Sequence, residues 1–405
     1  MAAACIIAAT GIRGSAMRRV LWMIIVVCAA PAGQAQQAQT GLGWSALPAL
    51  NYDSDQGFGY GVTGGLYQYG DGTRSPYLWA FEPIVFFTTR GRRSVTVFYD
   101  APRQFGERVR LTVRAFVDRD CCQPYFGLGN ATRYDSALDA RDSLPSYYTY
   151  RRNRATLVVD LQWNVLPRVR LLTGVAAHRN TTAARDPSTQ FAVDLNNGTV
   201  PSGEDASTSL GPKIGLVYDT RDGERDPRRG LWLEGIAWQG FVVPSGDDFT
   251  RFTGTLRGYL SPVPSVTFAA RVFGEHIQGA MPIAMLADLG SSFQDFTGLG
   301  GAESVRGVLW QRFMGRSRAL ANVEARARGP GFRFLGAPWQ LGVVGFVDAG
   351  RVWDDRGLGD GTAGLHWGKG AGLRVAWGQS FIIAADFGHG KEAGLQTYLK
   401  LGHMF

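Results

Sequence analysis

The sequence predicts an all-β fold, about 16 antiparallel strands closed into a transmembrane β-barrel, and three observations lead there. From residue 43 onward, segments of about ten residues alternate apolar and polar side chains with period two, as strands with one lipid-facing and one wet face do. The connections between those segments alternate in length, short ones on one side and long ones on the other. Hydrophobic residues make up 45% of the chain while mean hydropathy is only −0.09, a balance that fits neither a disordered chain nor a bundle of transmembrane helices. Abundant glycine and aromatics at 12% suit many strands with rings near the membrane interfaces.

The first element is a leader. Met17-Arg18-Arg19 precedes an apolar run from Val20 to Ala30, and Gly33-Gln34-Ala35 follows it with small residues at cleavage-site spacing. A run of about eleven residues is too short for a spanning helix, which needs roughly twenty. Residues 1–35 therefore read as a secretory signal peptide, with Met17 as an alternative start, and 36–405 as a single barrel domain. Cys28 is a weak lipoprotein candidate, because Val27 stands before it where a small residue is expected.

The strands follow at 43–52, 57–69, 76–89, 92–102, 107–119, 153–165, 168–180, 207–220, 229–241, 249–261, 265–277, 317–328, 339–350, 366–378, 380–388 and 394–405. In 107–119, Val109, Leu111, Val113, Ala115 and Val117 share one face, and Arg108, Arg110, Thr112 and Arg114 the other. An arginine aimed into lipid costs about 2–4 kcal/mol near the midplane, so the arginine face is the lumen. In 153–165, Ala155, Leu157, Val159, Leu161 and Trp163 alternate with Arg154, Thr156, Asp160 and Gln162. In 317–328, Ala319, Ala321, Val323, Ala325 and Ala327 face outward, which sends Glu324 into the lumen beside Arg318, Asn322, Arg326 and Arg328. The last segment places Leu395, Leu399, Leu401 and the terminal Phe405 on one face; Leu399, Leu401 and Phe405 read as an assembly signal, recognised by barrel-inserting machinery through β-augmentation. With the N-terminus in the periplasm, the turns at Pro102-Arg103-Gln104, Leu166-Pro167 and Pro262-Val263-Pro264 lie inside, and the long connections 120–152, 181–206 and 278–316 lie on the cell surface.

Other classes fail on the same residues. A net charge of +8 invites a nucleic-acid partner, but the arginines alternate along strands and make a basic lumen rather than an exposed basic face. A soluble β-sandwich or propeller would not combine a leader, an arginine-lined interior and a terminal aromatic. Cys5 and Cys28 leave with the leader, so the adjacent Cys121-Cys122 remains in the first long loop as two thiols or a local staple. The five histidines show no metal-ligand spacing, and no cofactor is implied. Gly59-Tyr60-Gly61-Val62-Thr63-Gly64 fits a dinucleotide fingerprint but lies along a strand with no helix behind it. No G-x-S-x-G occurs and no catalytic residue is assigned; a hydrolase would need a Ser–His pair on the outer wall, for which His276 is the one candidate base, and the adjacent Glu275 faces the other way.

Three stretches carry a resemblance to a known family. Gly301-Ala302-Glu303-Ser304-Val305-Arg306-Gly307, in the longest surface connection, is similar to the VRG[FY] motif of the BamA/TamA-type outer-membrane assembly and secretion superfamily, with Val308 in place of the usual aromatic. Tyr218-Asp219-Thr220-Arg221-Asp222 with Asp226-Pro227-Arg228-Arg229-Gly230-Leu231 is similar to its D-x-R-D…P-x-x-G strand-turn-strand, in which Asp219, Arg221, Asp222, Pro227 and Gly230 match. Phe346-Val347-Asp348-Ala349-Gly350-Arg351-Val352-Trp353 resembles its F-x-D-x-G strand end. Gly129-Asn130 looks like a family-typical loop feature.

Read alone, Arg306 is a solvated loop residue. The resemblance implies that Arg306 and Gly307 fold back into the lumen, where Glu324 and Asp348 would pin the guanidinium as a two-acid cluster. It implies a Gram-negative outer-membrane location and a non-enzymatic barrel that assists insertion or translocation of protein or lipid through a weak seam. Its partners would be outer-membrane lipids, the barrel-assembly machinery during its own insertion, and a periplasmic partner or client. The family's periplasmic POTRA domains find no room between the leader and the first strand, so a barrel-only branch is expected. A passive solute pore or structural barrel is the alternative, and a barrel-embedded hydrolase a third.

Overall fold

The computed structural model describes residues 40–405 apart from 74–76, 105–107, 140–146, 201–205, 225, 293–294, 335–336, 354–363 and 378–380. The predicted leader lies outside the described residues. The barrel strands are β1 (Gly41–Asp53), β2 (Gly57–Gly70), β3 (Trp79–Thr88), β4 (Arg93–Gln104), β5 (Val109–Pro124), β6 (Thr149–Leu166), β7 (Val169–Ala184), β8 (Ser207–Asp219), β9 (Gly230–Val243), β10 (Asp248–Val263), β11 (Val266–Gly279), β14 (Ser317–Phe334), β15 (Ala337–Trp353), β16 (His366–Trp377), β17 (Phe381–Gly390) and β18 (Gly394–Leu401). Each pairs antiparallel with its neighbour in the chain, and β18 returns to β1, closing a barrel of 16 strands. A short helix α1 (Gln190–Asn196) sits in the β7–β8 connection. The β11–β14 connection holds α2 (Ile283–Leu286) and a small ladder of β12 (Asp288–Leu289) with β13 (Phe296–Thr297).

The alternation sorts side chains as the physics of a bilayer requires. Leu157, Val272, Val323 and Leu373 face outward and are exposed, while Asp118, Arg152, Glu275, Arg318 and Asp348 are buried in the lumen. The lumenal charges are there because they are paired: Arg251 Nε lies 2.7 Å from Glu275 Oε2 and Arg318 Nη2 2.5 Å from Glu275 Oε1, and Arg154 meets Asp288 of the lumenal loop.

Two expectations need correction. Cys121 and Cys122 lie within β5, not in a loop, joined as a vicinal disulfide where the β5–β6 register shifts between Asp120 and Gln123. The strand continues past them because the local bulge absorbs the extra residue. The last strand stops at Leu401: the chain turns at Gly402, φ +79°, and carries Phe405 into the lumen against Tyr259 and Ala269, away from the outward face of Leu395 and Leu401. Arg326 Nη2 donates to the Phe405 carbonyl at 3.0 Å, and the Arg271 and Arg326 guanidinium carbons lie 5.1 and 5.3 Å from its ring centroid. A terminal ring thus caps lumenal cations instead of meeting lipid.

That turn also shortens the seam. Among the described residues, Tyr52↔Leu399 and Asp53↔Tyr398 are the pairs across β1 and β18, with Ser54 bonded to Thr397 beyond them, so the other strand positions of β1, Gly41–Asn51, have no described partner on that side.

Candidate functional site: an arginine anchor in the lumen

Between β11 and β14 the chain turns inward. Ile283, Met285, Leu286 and Leu289 are buried in the barrel, as are Val305 and Leu309, so this connection has its own apolar packing against the wall. Ser304 ties its tip together: Oγ donates to Gly298 O at 2.7 Å and accepts from the Gly300 amide at 2.9 Å. Asn322 on β14 then donates to Ser304 O at 2.6 Å, fixing the tip to the wall.

Arg306 projects from this tip, wholly buried. Its Nε and Nη2 donate to Asp348 Oδ2 and Oδ1 at 2.8 and 3.1 Å, a bidentate pair, and its own backbone amide donates to Asp348 Oδ2 at 3.1 Å. Nη1 lies 2.8 Å from Glu324 Oε1 and donates to Asp386 Oδ2 at 3.1 Å. The guanidinium carbon sits 3.5 Å from the centroid of the Phe346 ring, a stacked cation–π contact. The structure therefore brings Arg306, Glu324 and Asp348 together.

It also adds a third acid, Asp386 on β17, which sequence reasoning missed. Two further arginines complete the balance: Arg326 Nε donates to Glu324 Oε2 at 2.8 Å and Arg374 Nη1 to Asp386 Oδ1 at 2.6 Å. Each of the three carboxylates thus has a guanidinium within ion-pair distance, which is the condition for so many ions to be desolvated together. The contacts of the cluster are ion pairs and hydrogen bonds.

Gly307, φ +88°, lets the chain turn away immediately after the anchor, and its amide donates to Tyr398 Oη on β18 at 3.0 Å. The wall under it is bare. A Cβ on Gly368 would stand 1.7 Å from Arg306 O, one on Gly390 2.2 Å from Gly307 O, and one on Gly388 2.8 Å from Gly307 N. Glycines on β16 and β17 thus form a seat for the Arg306–Gly307 backbone, a signal present in the sequence as Gly368, Gly388 and Gly390 but unreadable without the register.

The other predicted residues lie elsewhere. Asp219 at the end of β8 accepts from the Arg221 amide and Nε at 3.1 and 3.0 Å, and Arg221 stacks over Trp232 at 4.4 Å. Asp222 Oδ1 accepts from the amides of Arg228 and Arg229 at 2.9 and 3.2 Å, Pro227 is buried, and Gly230 has φ +104°, so these residues build one periplasmic turn. Among the described residues, none of these five bonds to the Arg306 cluster. Leu399 and Leu401 remain on the outward side of β18, separated from Phe405 by the inward turn. On the surface side, Asn130 Oδ1 accepts from the Val352 amide at 3.2 Å, clipping the first long loop to the top of β15.

Solved structures share the barrel architecture. BamA from Haemophilus ducreyi lacking POTRA domains 1–3 is similar over 90% of this chain and 70% of that one, with TM-score 0.56 and 14% identity. CdiB from Acinetobacter baumannii (TM-score 0.53, 13% identity) and CdiB from Escherichia coli (0.56, 12%) are similar over 90% of this chain, which spans 60% and 62% of their lengths. At such identities the likeness establishes the barrel fold. No curated protein matches in sequence. Residues 85–393 match the Omp85 superfamily domain, a span that includes Arg306, Glu324, Asp348 and Asp386, and the chain belongs to the Omp85 superfamily of outer-membrane barrels.

Proposed function

We propose that this barrel assists polypeptide insertion or passage at the outer membrane by opening between β1 and β18 while the Arg306 loop braces the opposite bank of the seam. The observation that carries this reading is the two-pair closure: a strand edge left mostly unpaired is a template for an incoming strand. The brace is argued from connectivity. Arg306 joins β14, β15 and β17 through their acids, and Gly307 bonds β18, so one loop tip holds the strands on the C-terminal side of the seam as a unit. On this reading the β1 edge is the element that moves.

The test is a disulfide lock at the paired positions, Tyr52→Cys with Leu399→Cys, in proteoliposomes offered an unfolded eight-stranded outer-membrane barrel as client. The locked form should fail to accelerate client insertion and recover on reduction. Equal acceleration by the locked and reduced forms would refute seam opening.

A further inference from the structure

The outward face of β4–β7 breaks the rule that keeps arginines in the lumen. Arg93, Arg119, Arg151 and Arg179 fall at odd positions, in phase with the lipid-facing Val95, Val117, Leu157 and Val175, and all four are exposed. Register gathers them. Arg93 pairs directly with Arg119 across β4 and β5, and Arg119 pairs with Asn153 on β6. Arg151 stands two positions from Asn153 along β6, and Arg179 pairs with Ala155 on its other side. Arg185 follows just beyond β7, where burial first and then the Arg151 charge lower its pKa, so those two cations also feel one another.

No acid answers this patch. The odd positions of β4–β7 hold no Asp or Glu, and among the described residues no carboxylate lies within ion-pair distance of Arg93, Arg119, Arg151 or Arg179. The acids nearest in sequence are engaged elsewhere. Asp118 faces the lumen and accepts from Arg92 and Arg154, Asp120 accepts from the Cys122 amide, and Asp186 accepts from the Ser188 amide and hydroxyl. Like charges directly opposite on an antiparallel pair repel, so Arg93 and Arg119 call for an anion from outside the chain.

The depth of the patch is that of the lipid head groups. Arg93 shares its cross-strand row with Phe87 and Tyr60, whose ring centroids lie 5.8 Å apart, and paired rings at this level mark a membrane interface. The β3–β4 turn and the β5–β6 loop put that interface on the cell-surface side. Below the arginines the wall is apolar, through Val95, Val117 and Leu157.

We propose that this patch binds an acidic lipid of the outer leaflet through its phosphate, Arg93 and Arg119 forking onto the phosphate oxygens and Arg151 and Arg179 flanking them, with the acyl chains lying on the wall below. The occupant follows from charge and depth. A planar guanidinium fork matches phosphate oxygens two at a time, and the four guanidinium groups are exposed, so a head group reaches them without rearrangement. Cations above and hydrocarbon-facing valines below select a molecule with phosphate at one end and acyl chains at the other. An acidic polypeptide would match the charge and leave the apolar wall unused. The inference holds whether or not the seam opens, because β4–β7 lie away from β1 and β18.

The test is equilibrium binding to the closed barrel in uncharged detergent, closure being checked by heat-modified mobility. The probe is an acylated glucosamine disaccharide bearing two phosphates and a fluorophore on one chain. Wild type should bind it saturably. Arg93→Gln with Arg119→Gln should bind about tenfold more weakly, the loss of two exposed charge-assisted contacts. Arg93→Lys with Arg119→Lys, which keeps both charges, should restore most of the affinity, and Arg228→Gln with Arg229→Gln, two exposed arginines of a periplasmic turn, should bind as wild type. The phosphate-free form of the lipid should bind wild type as weakly as the phosphorylated lipid binds the glutamine variant. Equal binding by wild type and that variant, equal binding of the phosphorylated and phosphate-free lipids, displacement of the lipid by inorganic phosphate alone, or tighter binding of a poly-glutamate peptide would each overturn the proposal.

Discussion

Replacing Arg306 with alanine strands some of its acids more than others, and the difference sets the size of the effect. Glu324 keeps Arg326 Nε at 2.8 Å, and Asp386 keeps Arg374 Nη1 at 2.6 Å. Asp348 loses both guanidinium bonds and retains Asn322 Nδ2 at 2.8 Å and the backbone amide of position 306 at 3.1 Å. One carboxylate, not three, is left buried without a guanidinium bonded to it. Removing one partner of a buried pair costs about 3–5 kcal/mol. Because the wall ladders do not depend on Arg306, that cost falls on the docked loop, and its released population should rise by roughly two to three and a half orders of magnitude. Limited proteolysis of the closed barrel, reading cleavage within 280–316 by mass spectrometry, measures it. The charge argument makes a second demand: Arg306→Ala combined with Asp348→Asn removes the stranded charge and should be cleaved about tenfold more slowly than Arg306→Ala alone. Cleavage of the double variant at or above the rate of the single one would refute the reasoning.

Two further outcomes follow from the same geometry. Gly368→Ala sets a Cβ 1.7 Å from Arg306 O and should expose the loop to protease with every charge intact, while Gly345→Ala, with nothing within 4 Å, should behave as wild type. At the periplasmic end, Asp226 bonds His403 at 3.1 Å and Arg328 at 2.7 Å. Burial alone would raise the Asp226 carboxyl, but the His403 bond and the Arg328 charge outweigh it and hold it down from 3.8 to about 2. A depressed acid stabilises the fold above its ordinary pKa and loses that contribution as pH falls through the folded value, so the tail should stay docked above about pH 4 and loosen between about 4 and 2. Fluorine NMR of a fluorophenylalanine at position 405 should show its change in that window and none in Asp226→Asn; a wild-type transition centred near pH 6 would contradict the assignment.

Much of the barrel was legible because a bilayer punishes every misplaced charge. Strands such as 153–165 and 317–328 declare their lumenal face by their arginines, and each of the 16 predicted strands has its counterpart, with ends moved by a few residues. The vicinal disulfide was misplaced because a bulge keeps β5 going where cysteines and a following proline read as a loop. Within the site, Arg306, Glu324 and Asp348 were found through a resemblance, since nothing local distinguishes Arg306 from a solvated arginine. Asp386 escaped because one acid between Ala385 and Phe387 has no periodic signature; only the register that carries β17 beside the loop tip gives it a role. Phe405 misled for a related reason: its spacing from Leu401 continues the strand, but Gly402 leaves the strand and the lumenal Arg326 and Arg271 offer the ring a better place.

Planar-bilayer conductance of wild type against Arg306→Ala tests most directly whether the anchored loop occupies and braces the lumen. Wild type should be nearly silent, and Arg306→Ala should show frequent large openings as the loop leaves. Large steady channels already present in wild type would contradict the account.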